Sequence, residues 1–111
     1  METKYTVILP NGEETEHCED LPEFPGYERL ALIVEPLLGP GVFMEHVTVL
    51  HNGIYTDMFV DEHGGQKRLL RNPKATVIYR HNWMSSHEGC DPEVLNYIVG
   101  PAVLFHRRVW D

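Results

Sequence analysis

Apolar and polar positions alternate along this chain in short runs separated by glycine, proline and asparagine. Tyr5 to Leu9 is a β-rich run, and Pro10-Asn11-Gly12 after it is a turn signal. Glu13 to Cys18 reads as a polar second strand at a sheet edge, where its many carboxylates would discourage aggregation. Leu21 to Gly26 carries two prolines and is expected to be a loop. Tyr27, Leu30, Ala31, Val34 and Leu38 then recur at helical spacing, with Glu28, Arg29 and Glu35 elsewhere on the wheel. Pro36 and Gly39-Pro40-Gly41 should end that helix. Val42 to His51 and Ile54 to Val60 are β-rich runs joined by Asn52-Gly53, a strong hairpin signal. In the second run, Tyr55, Asp57 and Phe59 share one face, and Ile54, Thr56, Met58 and Val60 the other.

Past the turn Asp61–Gly65, Asn72-Pro73 has the form of a helix start, with asparagine as N-cap and proline in the first helical position. Ala75, Ile78, Tyr79 and Trp83 would be its buried face, although the β-branched content of Ala75–Tyr79 leaves a strand as the rival reading. Asn82 to Cys90 has no period and is expected to be a loop. Asp91-Pro92 repeats the cap signal before a short turn at Val94–Tyr97. Ala102 to Trp110 alternates as a final strand, which would put Arg107 and Arg108 on opposite faces. The order β-β-α-β-β-α-(α)-β predicts one α+β domain over residues 1–111. It would be a small, largely antiparallel sheet with the helices packed on one face.

Composition narrows the classes. Of the residues, 42% are hydrophobic and 23% charged, which argues against whole-chain disorder. No apolar run approaches the roughly 20 residues needed to cross a bilayer, and the N-terminus lacks the pattern of a signal peptide. Cys18 and Cys90 do not make a disulfide framework, so a cytoplasmic protein with reduced thiols is expected. The net charge of −8 is unevenly spread: residues 1–62 balance to −11 and residues 63–111 to +3. General nucleic-acid binding does not suit that overall charge, but a local basic region can still attract an anion.

That region supplies the first candidate site. Lys67, Arg68, Arg71, Lys74 and Arg80 surround the expected helix start, whose N–H groups suit an anion, and arginine forks suit phosphate. For a nucleotide, Arg68, Arg71, Lys74 and Arg80 would take the phosphate and Trp83 the base. The competing reading is a solvated face that pairs with the acidic half. His81, His87 and Cys90 are possible zinc ligands, with His106 as a fourth, but their spacing fits no standard finger. Cys90 or Ser85/Ser86 beside His87 could pair nucleophile with base, yet nothing marks an orienting third group. No nucleotide fingerprint is present, and no cofactor is implied.

Several segments also carry a resemblance. Tyr27–Leu30, Val34–Leu38, Met44–Val47, Asp57–Glu62, Arg71–Thr76 with Tyr79-Arg80, and Ile98–Leu104 resemble a domain-of-unknown-function family of small phage and mobile-element proteins. The Asn72-Pro73-Lys74-Ala75-Thr76 segment combined with Val99–Leu104 is its most specific part. The resemblance implies a phage setting and brings no catalytic residue or cofactor. It suggests an accessory or counter-defence binding protein that sequesters a small anionic or nucleotide ligand, with a second protomer completing the pocket. The alternatives are an acidic inhibitor whose Glu13–Glu28 region engages a basic host enzyme, and a metal-assisted hydrolase using His81, His87 and Cys90.

Overall fold

A computed structural model describes residues 1–86 and 97–111; for residues 83–86 it defines the helical path and not the side chains. The elements are β1 (Glu2–Ile8), β2 (Glu14–Asp20), α1 (Tyr27–Leu38), β3 (Met44–His51), β4 (Ile54–Asp61), α2 (Pro73–Ser86) and β5 (Ala102–Phe105). All neighbouring strands are antiparallel, in the order β2-β1-β5-β4-β3, so the acidic β2 is indeed an edge. Over its described residues the protein is therefore α+β, with two helices on a five-stranded sheet. Among the described residues, no helix is long and apolar enough to cross a membrane.

The hairpin signal at Asn52-Gly53 is fulfilled. His51 pairs with Ile54, and both turn residues have positive φ (52° and 80°), the combination a two-residue type I′ turn requires. The faces of β4 also fall as the alternation predicts: Phe59 enters one core cluster, Met58 and Val60 the other.

The expectation that both helices share one face is corrected. Leu30, Val34 and Leu38 of α1 pack with Tyr5, Val7, Phe59, Val103 and Phe105. Ala75 and Ile78 of α2 pack with Ile8, Met58, Val60, Ala102 and Leu104 on the opposite face. The physical reason lies in β5, whose four residues are all buried: adjacent side chains point to opposite faces, so each face needs its own cover.

Two boundaries also differ. The loop expected from Asn82 is helix as far as Ser86, and Asn82 Nδ2 donates to Thr48 O (3.0 Å), tying that stretch to β3. The final strand stops at Phe105 instead of Trp110. There the Thr56 hydroxyl reaches the carbonyls of both Phe105 (2.5 Å) and Arg107 (2.9 Å), and the chain leaves the ladder. The short turn expected at Val94–Tyr97 lies mainly outside the described residues.

The two segments most specific to the resemblance turn out to be joined in the core. Asn72 is fully buried; its Oδ1 accepts Ala75 N–H (3.2 Å) as an N-cap, and its Nδ2 donates to Ile8 O and Gly100 O (both 2.9 Å). Thr76 Oγ1 exchanges hydrogen bonds with the backbone of Ile98. Gly100 has φ +74°, which an L side chain rarely adopts, and an added Cβ there would come 2.6 Å from Leu69 Cδ1.

Tyr5 yields a first testable outcome. Its ring stacks on His17 and Phe105, with both centroid distances 5.1 Å, and its hydroxyl donates to Glu19 Oε1 at 3.0 Å. Burial, together with the Glu19 carboxylate, pushes the phenol up to about 12. A folded-state value above the unfolded one favours the neutral form. The resulting stability is present below the ordinary tyrosine value of about 10 and is lost as pH rises towards the folded value. An ultraviolet titration should show one late tyrosine ionisation that Tyr5→Phe removes.

Candidate functional site

Helix α1 has more apolar surface than the sheet covers. Leu30, Val34 and Leu38 face the core. At about 100° per residue, Ala31 borders that face and Leu32 lies well outside it, so with Tyr27 exposed in the first turn they extend an apolar stripe away from the sheet. The segment Gly39–Phe43 runs back along this stripe, and between them lies a groove of about 740 Å³. Its walls are mainly Tyr27, Ala31, Leu32, Pro36, Val42 and Phe43. Leu32 is 76% exposed, Phe43 60% and Tyr27 52%. Single exposed apolar side chains are common, but several converging on one groove make it the candidate site.

The groove continues past Tyr27 into a polar recess lined by Glu45, His46, Glu62, His63, Gln66 and Trp110. Glu28 and Glu35 lie along the groove itself. Among the described residues, no lysine or arginine lines either part. The combined surface is apolar along its floor and acidic along its rim. Glu35 has a structural task as well: its Oε2 accepts Met44 N–H (3.0 Å) and fixes the path of the Gly39–Phe43 wall.

The recess is held rigid by Asp57, a fully buried carboxylate on the α1 face of β4. Its Oδ1 accepts His46 Nε2–H (2.7 Å), and its Oδ2 accepts the backbone N–H of Val109 (2.7 Å) and Trp110 (3.0 Å). Arg108 Nε lies 3.1 Å from Oδ1. Burial works against the charged carboxyl. The hydrogen bonds from His46, Val109 and Trp110, with Arg108 beside them, outweigh it and hold the carboxyl below its usual range. The segment so anchored places the Trp110 ring on His46 (centroids 4.9 Å apart, 11° between planes) and edge-on to Tyr27. Asp57, His46 and Trp110 were not among the residues singled out from the sequence. The available signal was a charged residue sharing a face with Tyr55 and Phe59, where a buried partner is required.

The basic residues expected to bind an anion are dispersed. Lys67 Nζ pairs with the buried Asp61 (2.9 Å), and Lys74 pairs with Glu14 of β2. The Arg71 guanidinium sits 3.7 Å over the Tyr97 ring, while Arg68 is exposed in a turn with φ 56°. Arg80 is half-buried on α2 and engaged within the chain. The side chain of Trp83 lies outside the described residues. Lys74 also lines a separate cavity on the opposite face of the sheet. Arg107, expected on a strand, instead donates to Thr3 Oγ1, Pro22 O and Glu23 O.

His81 is on the exposed side of α2, whereas His87 and Cys90 lie outside the described residues, as do the side chains of Ser85 and Ser86. Among the described residues, no group of three or more His, Cys, Asp or Glu side chains is arranged to hold a metal ion. Comparison with protein-family models, curated proteins and solved structures finds no match to this chain.

Proposed function

We propose that this protein is a binding module that takes a cationic, amphipathic segment of a partner protein into the α1 groove. It would act as an accessory factor in the phage or mobile-element setting that the sequence resemblance implies. The observation that carries this reading is the acid-rimmed apolar groove, with Tyr27, Leu32 and Phe43 exposed along it. Apolar side chains of a partner would fill the floor, and its lysines or arginines would meet Glu28, Glu45 and Glu62. This is the acidic-inhibitor alternative, with its contact surface centred on α1 instead of the Glu13–Glu28 stretch. The anionic-ligand reading as drawn from the sequence draws less support, because the described basic side chains are dispersed over separate surfaces and do not converge on one site.

The test uses a synthetic Lys/Leu amphipathic helical peptide and its Glu/Leu counterpart as probes. The Lys/Leu peptide should shift the NMR signals of Tyr27, Leu32 and Phe43, with affinity falling as salt rises. Leu32→Ser with Phe43→Ser should weaken it by about ten-fold or more. Thermal stability should barely change, since both side chains are largely exposed. Equal binding of the Glu/Leu peptide, or shifts confined to other surfaces, would overturn the proposal. So would self-association that the double variant abolishes, which would place a second copy in the groove.

A further inference from the structure

A second cavity, of about 300 Å³, lies on the other face of the sheet, away from the body of α2, which packs along β3. Its chemistry is unlike that of the groove. Thr6 of β1, 4% exposed, forms part of the floor. Glu14 and Glu16 of β2 make one wall, and His51, Lys74 and His106 stand around the rest. Sequence places these residues in five separate segments, and the antiparallel order brings them together.

The hydrogen bonds there have a definite direction. A carboxylate only accepts, so the Thr6 hydroxyl donates to Glu16 (2.9 and 3.0 Å). His106 Nε2, 2.7 Å from the same oxygen, must then donate to it, and it lies 3.7 Å from Glu16 Oε2. Thr6 is thus not a nucleophile with His106 as its base, because its proton faces Glu16. Across the cavity Lys74 pairs with Glu14, and both side chains remain partly exposed (47% and 34%). Burial holds His51 below the ordinary imidazole range, helped by the positive charge of Lys74, so at neutral pH it offers a hydrogen bond and no charge.

Charge arithmetic selects the ligand class. A simple anion entering beside Lys74 also meets Glu14 and Glu16, and a simple cation entering beside those carboxylates meets Lys74. A molecule carrying both charges a few ångströms apart satisfies each wall. It would exchange the single internal Lys74–Glu14 pair for two, with its carboxylate on Lys74 and its ammonium on Glu14 and Glu16. The volume is at the low end for ligand pockets and suits a compact molecule. From this geometry we infer that the cavity is a binding site for a small zwitterion, a free α-amino acid. The site stands apart from the groove and does not depend on it.

The experiment is an NMR titration of the full chain with glycine, alanine, glutamate and lysine in turn. Acetate and methylammonium serve as the single-charge halves. At least one amino acid should shift Thr6, Glu16 and His106 and bind about ten-fold or more tightly than either half. Lys74→Met and Glu16→Gln should each weaken that binding by a similar factor while Leu32→Ser leaves it unchanged. Acetate or methylammonium binding as tightly as the amino acids would overturn the inference. So would four amino acids that leave the cavity signals unmoved while the variants stay folded.

Discussion

Asp57→Ala is expected to lower stability by about 3–5 kcal/mol, the cost typical of removing one partner from a buried charged network. It would leave the N–H groups of Val109 and Trp110 and the ring of His46 without their acceptor. Urea unfolding at neutral pH measures it, and a loss under about 1 kcal/mol would mean that the tail holds by apolar packing alone. The same carboxyl has a signature in acid. Its folded-state pKa is depressed, so its contribution is fully present above the ordinary aspartate value of about 3.9. It disappears as pH falls through the lower folded value. The stability gap between wild type and Asp57→Ala should therefore narrow on acidification. Tryptophan fluorescence reads the local effect, because Trp110 loses its seat on His46.

Asn72→Ala should cost about 3 kcal/mol, more than an ordinary cap, because two buried carbonyls lose a donor along with the helix end. Asn72→Asp separates the two roles. Aspartate caps helices as well as asparagine does, so a cap alone would tolerate it. Here it would turn a carboxylate oxygen towards Ile8 O and Gly100 O, and the loss should equal or exceed that of alanine. Thermal unfolding of the two variants decides between these outcomes.

Much of this fold was legible because its signals are local. The spacing of Leu30, Val34 and Leu38, the Asn52-Gly53 turn and the Asn72-Pro73 start each depend on a few neighbouring residues. What was not legible depends on distant ones. The alternation of Val103, Phe105, Arg107 and Val109 continues smoothly, and nothing nearby shows that Thr56 and Asp57 draw the chain out of the ladder after Phe105. The basic residues make the same point. Lys67 and Lys74 are close in sequence, yet one pairs with Asp61 of β4 and the other with Glu14 of β2. For the groove, the sequence showed an apolar helix but not which of its apolar residues the sheet would leave uncovered. Leu32, outside the core spacing, was the available hint.

The place of β5 has a consequence for how the molecule assembles. The pairs β1–β2 and β3–β4 are hairpins of adjacent residues, while β1 and β4 meet only through the four residues of β5. Each hairpin is local in sequence, but the sheet joins only when a strand distant in sequence inserts between them. Tyr5 must find Phe105, one hundred positions along the chain. Such long-range closure is slow, since its entropy is spent before the contacts that reward it exist. The topology thus leaves the joining of the two hairpins, and the completion of both cores, to the insertion of one short strand.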